Sequence, residues 1–336
     1  MKIAVVILNW NGASHLRRFL PSVVAHSEGA DVVVADNGST DESIAMLTAE
    51  FPSVRTLTLD ANYGFAEGYN RALAMLGDDY ECFVLLNSDV EVEAGWLSPL
   101  VGRLEAQSDV AIVGPKILSV EERDRFEYAG AAGGYIDLLG YPFCRGRVLG
   151  ELERDEGQYD DARDVFWVGG AALCIRAEVY RSLGGLCGEF FAHQEEIDLC
   201  WRAQLAGWRV AFEPKSRVWH LGGGTLSSTS PQKVMLNHRN NLAMLFRCAS
   251  PAQRALVAIV RPLLDCAAAV SYLLDGKWEA TKAVWRAYCD FVRWHPRLAR
   301  ERRAIREAVA RESKHIYKGS IVVRYLLGAR RFDRLM

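Results

Sequence analysis

The chain has 336 residues, of which 50% are apolar, 24% charged and 10% aromatic; this is ordinary globular usage and excludes a disordered, collagen-like or coiled-coil protein. At about 100–200 residues per domain, the length allows two units, or one large α/β domain with an appendage. The net charge of -2 gives no general excess of positive charge, so no nucleic-acid partner is expected.

The apolar, β-branched run at residues 3–8 predicts a first strand and is too short for a signal-peptide core. Leu16, Phe19, Leu20, Val23 and Val24 recur at helical spacing over 14–25. Residues 31–35 read as a second strand, and Ser39 or Asp41 can cap a helix carrying Ile44, Met46 and Leu47. A strand over 54–59, a helix over 68–76 and a strand over 82–86 continue the βαβ grammar of a parallel sheet. Ligands of such sheets bind beyond the carboxyl ends of strands, which singles out residues 9–12, 36–41 and 87–89. Neither GxGxxG nor GxxxxGK[ST] occurs there, against a dinucleotide-binding dehydrogenase or a P-loop NTPase.

Glycines at 130–134, 169–170, 184–188 and 222–224 predict mobile loops around a cleft. Residues 195–206 read as one amphipathic helix, and beyond Ser230 the pattern is helical to the end. A domain boundary is expected in the Ser/Thr stretch 226–230, separating residues 1–228 from a helical, basic region over 229–336. Residues 276–336 carry a net +10, with Trp278, Trp285, Tyr288, Trp294, Tyr317 and Tyr325 interleaved. That mix suits helices lying on an anionic membrane surface, or a solvated bundle packed on the rest of the protein. Residues 255–274 are interrupted by Arg261, Pro262 and Asp265, so no transmembrane span is expected. The eight cysteines include no CxxC pair and no zinc-ligand spacing, which predicts reduced thiols in a cytosolic protein.

Seven motifs follow one another: VVILNWNG, VVVADNGSTD, NYGFAEGYNRAL, VLLNSDVEV, VGGAALCIR, FFAHQEEIDLCWR and VWHLGGGT. In this order the chain resembles the family 2 glycosyltransferases, inverting enzymes of the GT-A fold, especially their rhamnosyltransferase-like bacterial members. The resemblance implies an α/β fold of the nucleotide-diphospho-sugar transferase type, a Rossmann-like mixed sheet flanked by helices with a C-terminal helical extension. Residues 1–100 then form the nucleotide-binding half and 101–228 the acceptor and catalytic half. The implied reaction moves a sugar from a UDP- or dTDP-sugar to a hydroxyl of a glycan or lipid-linked acceptor in bacterial cell-surface polysaccharide synthesis. The implied cofactor is Mg²⁺ or Mn²⁺, and the implied location is the cytoplasm or the cytoplasmic face of the inner membrane.

A sugar nucleotide needs an apolar wall, a partner for its base edge and a counter-charge. Trp10, beside Asn11 in the first strand-end turn, can stack on the base, and Asn37 has a donor and an acceptor for a pyrimidine. By resemblance Asp36 holds that loop and Asn37 contacts the base; the alternative is a plain Asx turn feeding a helix. Asn62 is the nucleotide contact expected from NYGFAEGYN, where backbone N–H groups at a helix start can face an anion. NSD at 87–89 stands at the family's DxD position, with Asn87 on the nucleotide and Asp89 as the anionic metal ligand. His220 is the nitrogen ligand by resemblance. Trp167, Gly169 and Gly170 are expected at the donor sugar and acceptor, with core packing as the alternative for the indole.

Within the acidic helix, Glu195 and Asp198 share a face and Glu196 points about 100° away. The resemblance makes Glu196 the base that takes the acceptor's proton. Glu195 is assigned to the donor and acceptor site, with capping or ion pairing to Arg202 or Arg209 as the alternative for it and Asp198. His238 and Arg239 can reach a diphosphate. Two other readings stay open: a sugar-1-phosphate nucleotidylyltransferase, although the Gly-rich, Arg-containing loop usual there is missing after the first strand, and an inactive sugar-nucleotide or glycan binder, suggested by Asn87 and by Leu186, Cys187 and Gly188 in place of the family's FDE.

Overall fold

The computed structural model describes residues 1–222 and 230–335. Strands and helices alternate as the periodicity predicts: β1 (Ile3–Asn9), α1 (Ala13–His26), β2 (Ala30–Asp36), α2 (Ser43–Glu50), β3 (Arg55–Thr58), α3 (Gly64–Met75) and β4 (Cys82–Asn87). β1 is almost wholly apolar because both its faces are covered. Ala4 and Val6 enter one core, Ile3, Val5 and Ile7 the other. α3 starts earlier than expected, since the Asn62 side chain accepts the Gly64 N–H at 2.8 Å and fixes the turn before it.

Next come β5 (Val90–Val92), α4 (Leu97–Ala106), β6 (Val110–Ser119), β7 (Gly134–Asp137), β8 (Pro142–Cys144), β9 (Arg147–Val148), β10 (Glu151–Leu152) and β11 (Arg163–Asp164). They are followed by β12 (Ala172–Arg176), α5 (Ala177–Ser182), α6 (Glu195–Leu205) and β13 (Arg209–His220). The last elements are α7 (Pro231–Cys248), α8 (Pro251–Leu274), α9 (Trp278–Glu307), β14 (Ile316–Tyr317) and α10 (Ile321–Leu326). The main sheet has the order β11-β13-β6-β12-β4-β1-β2-β3, with β5 beside β13. β1, β2, β3 and β4 run parallel, and β12 is antiparallel to β4 and β6. The chain leaves β1 for β2 on one side and returns to β4 on the other, so a crevice opens at the carboxyl ends of these strands. Register there sets Asn9 beside Asp36 and Leu8 beside Asn87.

A second sheet, β10-β9-β8-β7-β14, takes its edge strand from near the C-terminus, where β14 pairs in parallel with β7. The chain is therefore not helical to its end. The buried Asp137 carboxylate joins the two regions by accepting the N–H groups of Leu139 (3.0 Å), Tyr141 (2.8 Å) and Ile321 (3.0 Å). The glycines at 130–134 and 169 also depart from expectation, because they mark close packing: Gly130 and Gly169 meet backbone, and Gly133 and Gly134 meet the side chains of Val165 and Trp167. A Cβ on Gly130 would lie 2.7 Å from the Gly169 Cα, and one on Gly169 would lie 1.9 Å from the Ala129 carbonyl oxygen.

α7 packs on α6 and α9, and α8 forms a hairpin with α9. Among the described residues α8 is the one helix whose length and composition would suffice to cross a membrane. Arg261 and Asp265, the charges that interrupt its apolar sequence, lie on its buried stripe. Of the expected boundary at 226–230, all but Ser230, the residue before α7, lies outside the described residues. All eight cysteines are free, and six are buried.

Gly169→Ala is expected to lower stability by about 2–3 kcal/mol, because the blocking atom is a backbone oxygen that no rotamer change can move. Gly170→Ala should cost far less, since its Cβ would meet Glu196 at an ordinary 3.5 Å. Urea unfolding midpoints of the two variants make the comparison.

Candidate active site

The turns after β1 and β2 are tied to each other. Asn9 donates to Asp36 Oδ1 (3.0 Å), and Asp36 Oδ2 accepts the Ser39 N–H (2.9 Å). Asn11, held at φ 50°, gives its N–H to Ser39 Oγ (2.8 Å) and accepts the Thr40 N–H (2.7 Å). This bracing leaves the Trp10 indole 46% exposed at the rim, free to cover a flat base. Asn37 departs from expectation. It is buried, its Nδ2 donates to the Gly64 carbonyl (2.9 Å) and Asn62 Oδ1 (3.1 Å), and its Oδ1 accepts the Tyr63 N–H (3.1 Å). Its amide is used up in holding the start of α3, while Asn62 remains exposed.

Across the crevice, β5 pairs with the end of β13 and brings the NSD turn to His220. His220 Nε2 lies 3.2 Å from Asp89 Oδ1 and 3.3 Å from Asn87 Nδ2, while its Nδ1 faces Glu127 Oε2 at 3.2 Å. Burial disfavours the imidazolium, but hydrogen bonds to Asp89 and Glu127 outweigh this and push the pKa up to about 10. Two carboxylates around one imidazole form an anionic pocket that requires a cation, whether a proton or a metal ion. The residues fit a hard divalent ion: a carboxylate oxygen, an imidazole nitrogen and the buried Asn87 Oδ1, which has no partner. Among the described residues no three His, Cys, Asp or Glu side chains converge as a complete cage. Glu127 was not foreseen. It fixes the ring through Nδ1, leaving Nε2 for the crevice, but it lies in no motif and far from His220 in sequence.

α6 supplies the acid cluster. Residues just before it adopt left-handed backbone, Phe191 (φ 65°), His193 (φ 71°) and Gln194 (φ 72°), a conformation that costs about 1–3 kcal/mol at each non-glycine residue. The loop is held there from behind. Asn240 Nδ2 on α7 reaches the carbonyls of Phe190 (2.9 Å), Ala192 (2.9 Å) and His193 (2.8 Å). Arg239 donates to the Glu189 and Phe190 carbonyls (both 3.2 Å) and stacks on Trp294, so it braces this loop instead of reaching a diphosphate; His238 is turned back to the Val234 carbonyl at 2.9 Å. The altered 186–188 segment is equally well held, because Asn70 accepts the Leu186 N–H and donates to the Leu186 carbonyl (both 2.9 Å).

Glu196 is half-buried beside Gly170, and its Oε2 has no partner. Burial pushes its carboxyl up to about 7, against the opposing pull of nearby backbone N–H groups and the buried Arg147. Arg147 is the second unforeseen residue; the small sheet carries it in, and its guanidinium lies over Tyr128. Asp198 is fully buried between Arg202 (2.7 Å) and Arg247 (3.1 Å). Of the two expected partners only Arg202 reaches it, because Arg209 pairs with Asp109 and Asp164. Glu195 is also buried, held well above the ordinary carboxyl range by burial and then by Glu196, so it faces the interior and not a sugar. Trp167 belongs to the core as well: the indole is 2% exposed, donates to the Tyr135 carbonyl (3.0 Å) and lies flat on Gly134. Gly169 packs on Ala129, while Gly170 borders Glu196. The next residue, Ala171, accepts the Asn87 N–H at 2.9 Å, which joins the Glu196 side of the crevice to the Asp89–His220 side.

The sheet order, the crevice and this set of residues define a GT-A nucleotide-sugar transferase fold. Residues 4–145 match the model of Glycosyl transferase family 2. Over 262 residues, 72% of this chain and 83% of the relative, it is 27% identical to the N-acetylglucosaminyl-diphospho-decaprenol L-rhamnosyltransferase of Mycobacterium tuberculosis. It is 31% identical to that organism's pre-mycofactocin glycosyltransferase over 65% of this chain and 42% of the relative. S. aureus TarS 1-349, solved with UDP-GlcNAc, superposes with a TM-score of 0.57 at 15% identity, covering 92% of this chain and 87% of that one. GalNAc-T7, solved with UDP, GalNAc and Mn²⁺, gives 0.60 at 17% identity, covering 78% of this chain and 50% of that one. Residues 4–145 thus carry the sequence pattern of Glycosyl transferase family 2, on a fold shared with solved nucleotide-sugar transferases.

Asn240→Ala removes the donor for three loop carbonyls and should cost about 1–3 kcal/mol. Asn240→Asp should cost more despite its equal size, because a carboxylate oxygen would then face carbonyl oxygens. Chemical denaturation of both variants gives the order.

Proposed function

We propose that this chain is a metal-dependent inverting glycosyltransferase that moves a sugar from a UDP- or dTDP-sugar to a hydroxyl of a glycan or lipid-linked acceptor, with Glu196 as the base. The observation that carries the reading is the half-buried Glu196 carboxyl beside Gly170, with one partnerless oxygen and a pKa pushed up to about 7. A base whose pKa lies near the working pH combines a useful ionised fraction with a real affinity for the proton it takes.

In this reading Trp10 covers the base, Asn11 and Asp36 shape the turn beneath it, and Asn62 and Asn87 meet the nucleotide. Asn37 acts indirectly by positioning Asn62. Asp89 and His220 would hold Mg²⁺ or Mn²⁺, which supplies positive charge to the diphosphate as it leaves. The acceptor hydroxyl gives its proton to Glu196 while its oxygen attacks the anomeric carbon, and the bond from that carbon to the diphosphate oxygen breaks. One displacement inverts the configuration and needs no covalent enzyme intermediate. The lipid-diphosphate acceptor named for the Mycobacterium tuberculosis relative supports a lipid-linked acceptor in cell-surface glycan synthesis.

Glu196→Gln should lower kcat by about 10²–10⁴ while leaving nucleoside-diphosphate affinity intact, because it removes only the proton acceptor. The sign of the pH dependence follows from the raised pKa: below about 7 the Glu196 carboxyl carries its proton and cannot take another. The wild-type rate should therefore fall on the acid side of that value, and the limb should be missing from the Gln variant. Transfer assays across pH beside calorimetry with UDP and dTDP check both. Wild-type turnover by Glu196→Gln would remove it as the base.

A second expectation concerns the cation. Asp89→Ala should abolish the gain in diphosphate affinity that Mn²⁺ brings, and Glu127→Gln should weaken the Mn²⁺ effect by about 10–100-fold, since Glu127 orients His220 without touching the ion. Titration of UDP with and without Mn²⁺ reads both.

A further inference from the structure

α8 is built inside out. Its buried residues recur at every fourth position, Gln253, Val257, Arg261, Asp265 and Ala269, and three of the five are polar. Each polar side chain has partners within the protein. Gln253 donates to the Leu138 carbonyl (3.1 Å), Arg261 to the Leu139 carbonyl (2.8 Å) and Asn241 Oδ1 (2.6 Å), and Asp265 accepts the Tyr288 hydroxyl (2.7 Å). The opposite face is apolar and uncovered, with Ile259 70%, Leu263 69%, Val270 52% and Leu274 82% exposed. These residues are four, seven and four apart, so they form one stripe. A helix at the surface of a water-surrounded domain has the reverse arrangement, with its apolar face turned to the core.

The stripe continues past the turn. On α9, Trp278, Trp285 and Val292 are exposed and recur at every seventh position. One residue further round lie Arg286, Arg293 and Arg300, all exposed. Arg286 and Arg300 form no ion pair among the described residues, while Arg293 pairs with Asp290. An apolar stripe with indoles, bordered by a basic one, is the pattern of a helix lying in a membrane interface, its rings among the headgroups and its guanidinium groups extended to phosphates. A crossing is disfavoured, because Arg261 and Asp265 would have to leave their partners and enter hydrocarbon. A two-fold partner of this chain would crowd the arginine stripe against its own copy.

We propose that the α8–α9 hairpin is a membrane-docking surface for anionic phospholipid, lying flat with the Ile259–Leu263–Val270–Leu274 stripe in the acyl boundary and the arginine stripe on headgroup phosphates. The surface is joined to the catalytic helix by two hydrogen bonds: Arg261 to Asn241 (2.6 Å), and Asn241 to Gln194 (3.2 Å), the residue before Glu195. Docking depends on this surface and not on the transfer chemistry, so it stands or falls separately from the assignment of Glu196.

The test is co-sedimentation of the full chain with vesicles of phosphatidylcholine alone and with about a third phosphatidylglycerol, at low and high salt. The intact chain should bind the anionic vesicles and weaken with salt as the Debye length shrinks. Ile259→Asp with Leu263→Asp should lower the partition by at least about tenfold, which is about 1.4 kcal/mol. Arg286→Glu with Arg293→Glu should do the same and remove much of the salt dependence. Thermal midpoints and UDP affinity should be unchanged in both double variants, since all four side chains are exposed. An intact chain that ignores anionic vesicles overturns the proposal. So does wild-type vesicle binding by the Asp double variant, or a wild-type dimer in sedimentation velocity that this variant turns into monomer without any vesicle affinity being lost; that last result would make the stripe a contact between copies. Should the Asp variant fail to fold, the Arg variant decides alone.

Discussion

The buried Asp198 carboxylate is the interaction on which the site depends. It lies one turn into α6 and is matched by Arg202 from its own helix and Arg247 from α7. Arg202 uses its other nitrogens on the carbonyls of Leu183 and Gly185 (both 2.7 Å). A single charged cluster therefore fixes three things together: the azimuth of α6, the loop that leads into it, and the distance to the C-terminal helices. Such a cluster need not add net stability, because desolvating three charges costs about as much as their attraction returns. What it contributes is position. Rotation of α6 by one residue would carry Glu196 about 100° away from Gly170 and would leave the buried Arg202 guanidinium without a counter-charge, a loss of about 3–5 kcal/mol, while Arg247 would keep only Glu301.

With α6 fixed, the left-handed residues before it become understandable. Phe191, His193 and Gln194 are held in a conformation that glycine adopts freely and side chains resist, yet none is glycine. Two of them make contacts that glycine could not, since the Phe191 ring fills the space over Gly64, and Gln194 reaches Asn237 (3.4 Å) and Asn241 (3.2 Å) on α7. The three carbonyls gathered by Asn240 oppose the strain. The acidic first turn of α6 is then delivered with its carboxylates unequal. Asp198 is neutralised by two arginines, Glu195 is buried in the interior, and Glu196 alone borders the open strand start at Gly170. The dipole of the helix favours negative charge at this end, but for Glu196 burial is the larger influence.

Much of this was legible in the sequence where local periodicity decides the outcome. β1, β2, β4 and α6 fall within a residue or two of expectation because their apolar spacing is dictated by two covered faces of a sheet or one face of a helix. The polar residues at the strand ends were legible too, since the topology leaves that crevice nowhere else to open. Residue roles were less so, because they depend on contacts far apart in the chain. Asn37 looks like a base reader until Tyr63 and Gly64 are seen to occupy its amide. Trp167 looks like a sugar platform until Gly134, with no side chain, is found beneath it. Glu127 and Arg147 have no local signal at all, because their partners come from β13 and from α6. The glycines at 130 and 169 read in sequence as parts of mobile loops, whereas their lack of a Cβ serves close packing.

α8 shows most clearly how a one-dimensional reading misleads. Averaged along the chain, Arg261, Pro262 and Asp265 dilute an apolar segment and argue against a transmembrane span. Resolved around the helix, the two charges fall on one stripe and Ile259, Leu263, Val270 and Leu274 on the other, so the same residues that would make a crossing costly leave the outer stripe apolar. The inner charges are satisfied by loop carbonyls and by Asn241, and Asn241 in turn holds Gln194 at the entrance to α6. The arrangement that lets a hydrophobic face stay outside is thus the one that fixes the loop before Glu196. In the proposed reaction a soluble sugar nucleotide and an acceptor carried on a lipid come from different phases, so the proposed base would have to lie near the boundary between the two. Polar-in, apolar-out packing of α8 would meet that requirement with one helix, because its inner face braces the loop before α6 and its outer face is apolar and exposed.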